Sequence, residues 1–216
     1  MVRLPHKGGR AVFILRDLIL LLMEQDRYYH IYNRGNNSDT LFYEDKNYDY
    51  FIKKYRFYLD KYVDTLCFCL MKTHFHLLVK IKDIPFDYSV TEKKTLLTPL
   101  EKAFKDFFIS YAKSINKKYG RTGSLFQTKF KRKEITDNFY LKNAIKYIHF
   151  NPVVAGLCFK PESYAHSSYS FILQKDNSWL AADTVIEIFG DLDAFKSFHH
   201  HLSDSDFSDF RSFENF

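Results

Sequence analysis

The run Cys67-Phe68-Cys69-Leu70-Met71-Lys72-Thr73-His74-Phe75-His76-Leu77-Leu78-Val79 consists of two apolar, β-type segments joined by a short polar turn, the pattern of a strand pair. Side chains alternate across a strand, so His74 and His76 share one face while Phe75, Leu77, Val79 and Ile81 take the other. One face suits a core. The other carries two imidazoles, which together can grip a divalent ion if further ligands come from elsewhere in the chain or from water. A His-x-His pair also occurs as two half-exposed polar residues on an ordinary strand, so the weight of this one depends on what surrounds it.

At 216 residues the chain is long enough for one well-buried domain with extensions, and no composition shift forces a split. Aromatics make up 19%, with 23 Phe and 16 Tyr, which excludes a disordered chain. The formal net charge of +6 and sequence pI of about 9.0 favour an acidic partner such as nucleic acid. From Glu101 to Glu134 ten basic residues face three acids, a local +7; from Asp176 to Phe216 nine acids face Lys196 and Arg211, a local −7. The middle of the chain attracts phosphate and the tail repels it. Three cysteines do not make a disulfide framework, and Cys67 and Cys69 lie on one strand, so a reducing, cytoplasmic compartment is expected.

Outward from the histidines, Ala11 to Met23 is apolar but interrupted by Arg16-Asp17, too short and charged to span a bilayer and lacking a signal-peptide cleavage pattern. Met23 is the expected natural start, leaving residues 1–26 as an N-terminal extension. Arg27 to Arg34 reads as a strand closed by Gly35-Asn36-Asn37. Asp45 to Val63 carries apolar residues at helical spacing; Pro85 to Thr98 is a polar linker; Pro99 to Tyr119 is a second helix with a broad apolar stripe, stopped by Gly120-Arg121-Thr122-Gly123. Ser124 to Ile135 alternates Phe with basic residues. Two readings stand for it: a surface for phosphates and stacked bases, or an edge strand protected by lysines.

Asp137 to Phe150 is a third helix, capped by Thr136 or Asp137 and expected to end near Asn151-Pro152. Most tyrosines, such as Tyr48, Tyr55 and Tyr111, sit at core spacing. The resulting order is βαββαβ, that of an α+β, ferredoxin-like antiparallel sheet. Short helices over Thr184 to Phe189 and Leu192 to Phe198 follow, then His199-His200-His201 as a solvated helix end and an acidic, Phe-studded tail from Ser203.

Four motifs in order, His30-Ile31-Tyr32-Asn33-Arg34-Gly35-Asn36-Asn37, His74-Phe75-His76-Leu77-Leu78-Val79, Gly123-Ser124-Leu125-Phe126-Gln127 and Tyr147-Ile148-His149-Phe150-Asn151-Pro152-Val153-Val154-Ala155-Gly156-Leu157, resemble the HUH single-tyrosine transposases, and within them the REP-associated tyrosine transposase branch. The resemblance covers roughly residues 27–170. It implies a ferredoxin-like catalytic domain over 27–170; by their own pattern, residues 171–202 form a helical extension and 203–216 an acidic tail. It also implies a metal-dependent endonuclease or strand transferase acting on single-stranded or hairpin DNA through a 5′-phosphotyrosine. Carried over by position, Tyr147 is the nucleophile, His74 and His76 are ligands of a divalent ion (Mg or Mn), and Asn151 is a third ligand. The sequence departs from the family in having Lys72-Thr73 where Pro-Asn is usual. Asn151 keeps a second reading, as N-cap of a short helix beginning at Pro152.

The basic residues Arg34, Lys129, Lys131, Arg132 and Lys133 are the candidate DNA contacts, and the acidic tail is a candidate cover for them. Two other classes compete. A metal hydrolase wants a carboxylate shortly after the His pair, where Leu77-Leu78-Val79 stands instead; a domesticated single-strand-binding protein would keep the fold without cutting. Monomer and homodimer both remain open.

Overall fold

The computed structural model describes residues 23–84, 98–127, 129–200 and 202. The expected features of residues 1–22, most of the linker before Thr98, His201 and the acidic tail lie outside these. Four strands, β1 (Tyr28–Arg34), β2 (Val63–Met71), β3 (His74–Ile81) and β4 (Lys131–Ile135), form one antiparallel sheet in the order β2-β3-β1-β4. Helix α1 (Asp45–Leu59) joins β1 to β2 and α2 (Pro99–Tyr119) joins β3 to β4. This is the expected ferredoxin-like arrangement.

Alternation sorts the sheet into two faces. Ile31, Phe75, Leu77, Val79 and Ile81 are buried against Phe51, Tyr55, Phe104, Phe107 and Tyr111 of α1 and α2. Helix α2 is fixed at both ends: Thr98 and Glu101 form a reciprocal capping box, and Gly120 closes it in the left-handed conformation. Helix α1 stops at Leu59, short of the expected Val63, because Val63 already begins β2.

The opposite face is covered by α3 (Asn138–Val154), capped by the Asp137 side chain on the Tyr140 amide. Against its back pack α4 (Tyr169–Leu173), α5 (Ala182–Phe189) and α6 (Leu192–Phe198). Three expectations need correction here. Helix α3 does not end at Asn151-Pro152; it continues through Pro152 to Val154. A proline ring removes one backbone bond, but the segment from Asn143 to Pro152 is buried throughout, and that packing outweighs local propensity. The long strand expected from Ser124 reduces to β4 (Lys131–Ile135), because residues 125–127 bond to the chain just past the end of β1, through Asn36 N–H to the Leu125 carbonyl and Gln127 N–H to the Arg34 carbonyl, and do not continue the β1–β4 ladder. His199 is not a solvated helix end: it is buried, in ring contact with Phe195 and hydrogen-bonded to His149.

His199 belongs to a chain of hydrogen bonds whose directions are determined. Its Nδ1–H donates to the Phe195 carbonyl (2.8 Å), so its Nε2 accepts from His149 Nδ1–H (3.1 Å). His149 Nε2 then accepts from the Ser168 hydroxyl (2.9 Å), and Ser168 Oγ accepts from the Phe68 amide (2.9 Å). The chain ties α6 through α3 to β2, with both imidazoles neutral. Burial pushes His199 down to about 3 and His149 well below the ordinary histidine range.

Edge strand β2 is itself covered. Ser168 N–H donates to the Phe68 carbonyl, Leu70 N–H to that of His166, and Ala181 N–H to that of Thr65. The outer edge of β4 carries Lys131, Arg132 and Lys133.

Candidate metal and nucleophile site

Directly opposed residues of an antiparallel pair share a face. On β1 and β3, Tyr32 stands opposite His76 and Arg34 opposite His74; on β4, Lys131 stands opposite Tyr32 and Lys133 opposite His30. His30, Tyr32, Arg34, His74, His76, Lys131 and Lys133 therefore occupy the face that α3 roofs. Tyr147 and Asn151, one turn apart on α3, descend onto it from above. The Tyr147 ring meets the His76 ring edge-on at 5.3 Å and 82°, and that of His30 at 5.9 Å and 78°. Asn151 Oδ1 lies 3.2 Å from His74 Nε2. Tyr147, His74, His76 and Asn151, 77 positions apart at the extremes, are thus brought together.

Each imidazole is engaged at Nδ1. His74 Nδ1 is 3.2 Å from the Thr73 hydroxyl, and His76 Nδ1 is 2.9 Å from His30 Nε2. His30 was not singled out from the sequence; the signal available was the alternation of His30, Tyr32 and Arg34 on one strand face. Tyr32 stacks on His30 at 4.8 Å and 25°, making a continuous ring layer under Tyr147. Burial keeps His30 down at about 3, with Lys133 acting in the same direction, and His76 well below its usual range, with His30 and His74 adding to the effect. His74 is lowered too, chiefly by burial, with Asn151 opposing and Arg34 reinforcing the shift. Neutral imidazoles are the form that ligates metals.

Among the described residues, no group of three or more His, Cys, Asp or Glu is arranged to hold a metal ion. A site here has to recruit an amide, and the geometry permits it. His74 Nε2 and Asn151 Oδ1 are joined by a hydrogen bond of 3.2 Å, a separation that two ligand atoms each about 2.1 Å from one ion, at about 90–110°, would also have. Among the described residues the buried Asn151 Nδ2 has no hydrogen-bond partner, so none of them holds that amide by its nitrogen. It does not cap a following helix, because none begins at Pro152. With Nδ1 of His76 engaged by His30, an ion held by His76 takes Nε2. By donor type, two imidazole nitrogens and an amide oxygen on one face suit a divalent ion.

The basic candidates divide. Lys131 and Lys133 are on the histidine face, with Lys133 Nζ 4.8 Å from the Tyr140 ring centroid. Arg34 stands at the His74 end and donates to Ser38 Oγ (2.9 Å). Lys129 is exposed just ahead of β4. Arg132 turns to the other face, opposite Ile31, where it pairs with Glu101 of α2 at 3.2 Å.

The Gly123–Gln127 motif has a structural role beside this face. Gln127 N–H donates to the Arg34 carbonyl and Asn36 N–H to that of Leu125, extending β1 past its end. At Gly35 a Cβ would come within 2.0 Å of the Asp39 carbonyl oxygen, so the turn admits no side chain there.

No protein-family model and no curated protein matches the sequence. Among solved structures, the chain is similar to a REP-associated tyrosine transposase bound to a REP hairpin, at a TM-score of 0.51 and 12% identity, covering 74% of this chain and 86% of that one. The chain has the fold of that transposase.

Proposed function

We propose that this protein is a metal-dependent single-stranded DNA endonuclease and strand transferase, with Tyr147 as nucleophile and hairpin-containing DNA as substrate. The observation that carries the reading is the descent of Tyr147 and Asn151 from one helix onto the His74/His76 face. The fold shared with a transposase whose structure holds a REP hairpin supports the choice of DNA.

His74, His76 and Asn151 would hold the ion, which when bound supplies Lewis-acid polarisation of the scissile phosphate. Tyr147 attacks phosphorus through its phenolic oxygen. A phenol with an ordinary pKa of about 10 must first give up its proton. The new O–P bond forms as the bond to the 3′ oxygen breaks; that oxygen takes up a proton and leaves as a 3′ hydroxyl. The 5′ phosphate stays on Tyr147 as an ester from which a second 3′ hydroxyl can reclaim it. Lys131, Lys133 and Arg34 lie on the same face and follow the strand's backbone.

One observation favours a second reading, binding without cleavage: Tyr147 is only 2% exposed, so attack requires α3 and the sheet to part around the incoming strand. Labelled single-stranded hairpin DNA incubated with Mg2+ or Mn2+ separates the two. A covalent adduct on a denaturing gel that needs the ion and vanishes in Tyr147→Phe supports the nuclease. Retained hairpin binding with no adduct supports the binding protein.

A further inference from the structure

We infer that His30 is a positioning residue for His76, accepting from its Nδ1–H and so leaving Nε2 to an ion. The inference rests on the metal-site reading above. His30 is fully buried on β1, a central strand, and its Nε2 stands 2.9 Å from His76 Nδ1 with the rings stacked at 5.1 Å and 22°. Such a bond has one proton between two nitrogens. If His30 donates it, His76 Nδ1 accepts, His76 carries its proton on Nε2, and it has no lone pair for an ion. If His76 Nδ1–H donates, His30 Nε2 accepts and His76 Nε2 is a ligand. Ligating histidines generally owe their orientation to a partner on the second nitrogen, commonly a carboxylate or carbonyl. Here that partner is another buried imidazole, clamped by Tyr32 stacked upon it and by the edge of Tyr147. His74 receives a smaller version of the same support from Thr73.

The test measures Mn2+ affinity by the electron paramagnetic resonance of the unbound ion, for the full chain and for His74→Ala, His30→Phe and His30→Gln. Phenylalanine keeps the ring and loses the acceptor; glutamine can place Oε1 where Nε2 stood. We expect His74→Ala to abolish specific binding, His30→Phe to weaken it 10–100-fold, and His30→Gln to recover most of the loss, which a purely steric role for the ring would not produce. Loss in His74→Ala with wild-type affinity in His30→Phe overturns the role of His30 and leaves the metal site standing. Wild-type protein binding no better than His74→Ala overturns the site and this inference together. Should both His30 variants fail to fold, long-range 1H–15N spectra of Mg2+-loaded wild-type protein decide the matter: a proton on His76 Nδ1 is expected, and one on Nε2 refutes the inference.

Discussion

Lowering the pH from 7 to 5 attacks this fold through its buried histidines, and His199 allows the effect to be sized. Its folded pKa of about 3 lies below the ordinary 6.5, so the unfolded chain binds the extra proton. The stability it contributes is present above about pH 6.5 and is lost as pH falls. For one such group the loss is about 0.2 kcal/mol at pH 7 and about 2 kcal/mol at pH 5. His149, bonded to it and shifted in the same direction, adds to this. Even the single-residue figure is a sizeable part of the roughly 5–15 kcal/mol that holds a typical domain. Glu44 and Asp176, held below their ordinary 4.5 and 3.8 by hydrogen bonds to Lys118 and Ser178, titrate below this window and do not confuse it. Urea unfolding with chelator present, followed by the fluorescence of Trp179, gives stability against pH. The comparison is with His199→Gln, whose amide stays neutral. The variant should start lower but lose about 1 kcal/mol less per pH unit between 6 and 5. An identical slope in the two proteins would refute the reasoning.

Other perturbations separate the parts of the site. Tyr147→Phe keeps the ring that packs on His30 and His76, so thermal unfolding should move by little while adduct formation disappears; a large drop in Tm would mean that the hydroxyl is structural. Gly35→Ala drives a methyl into the Asp39 carbonyl and should cost about 1–3 kcal/mol in urea unfolding, whereas unchanged stability would show that the turn is not as tight as described. Lys131→Gln and Lys133→Gln should each lower the magnitude of the salt dependence of single-strand binding by about 0.7 in log–log slope, read by fluorescence anisotropy. Arg132→Gln, turned away toward Glu101, should leave that slope alone.

The parts legible in the sequence were those governed by period. The alternation in β3 separated Phe75, Leu77 and Val79 from His74 and His76, and the three-four spacing of α2 marked its ends to the residue. What stayed hidden were relations between distant positions. His30 and His76 are 46 residues apart, and only the β1–β3 register puts them in one bond. Asn151-Pro152 signals a helix end by local rules, yet burial from both sides carries α3 through it. His199 sits in a histidine run that composition assigns to solvent; its burial depends on where α6 meets α3, which no local pattern encodes. The turn of Arg132 to the opposite face from Lys131 and Lys133 follows from the period of two, but its pairing with Glu101, 31 residues away, does not.

The two margins of the sheet differ in what they permit another chain to do. Along β2, the backbone around His166, Ser168 and Ala181 already occupies bonding positions that a visiting strand would need. Along β4, Lys131 and Lys133 set positive charge against the same charges of an identical strand, while Arg132 is paired with Glu101. Both margins thereby disfavour continuation of the sheet from one molecule into another.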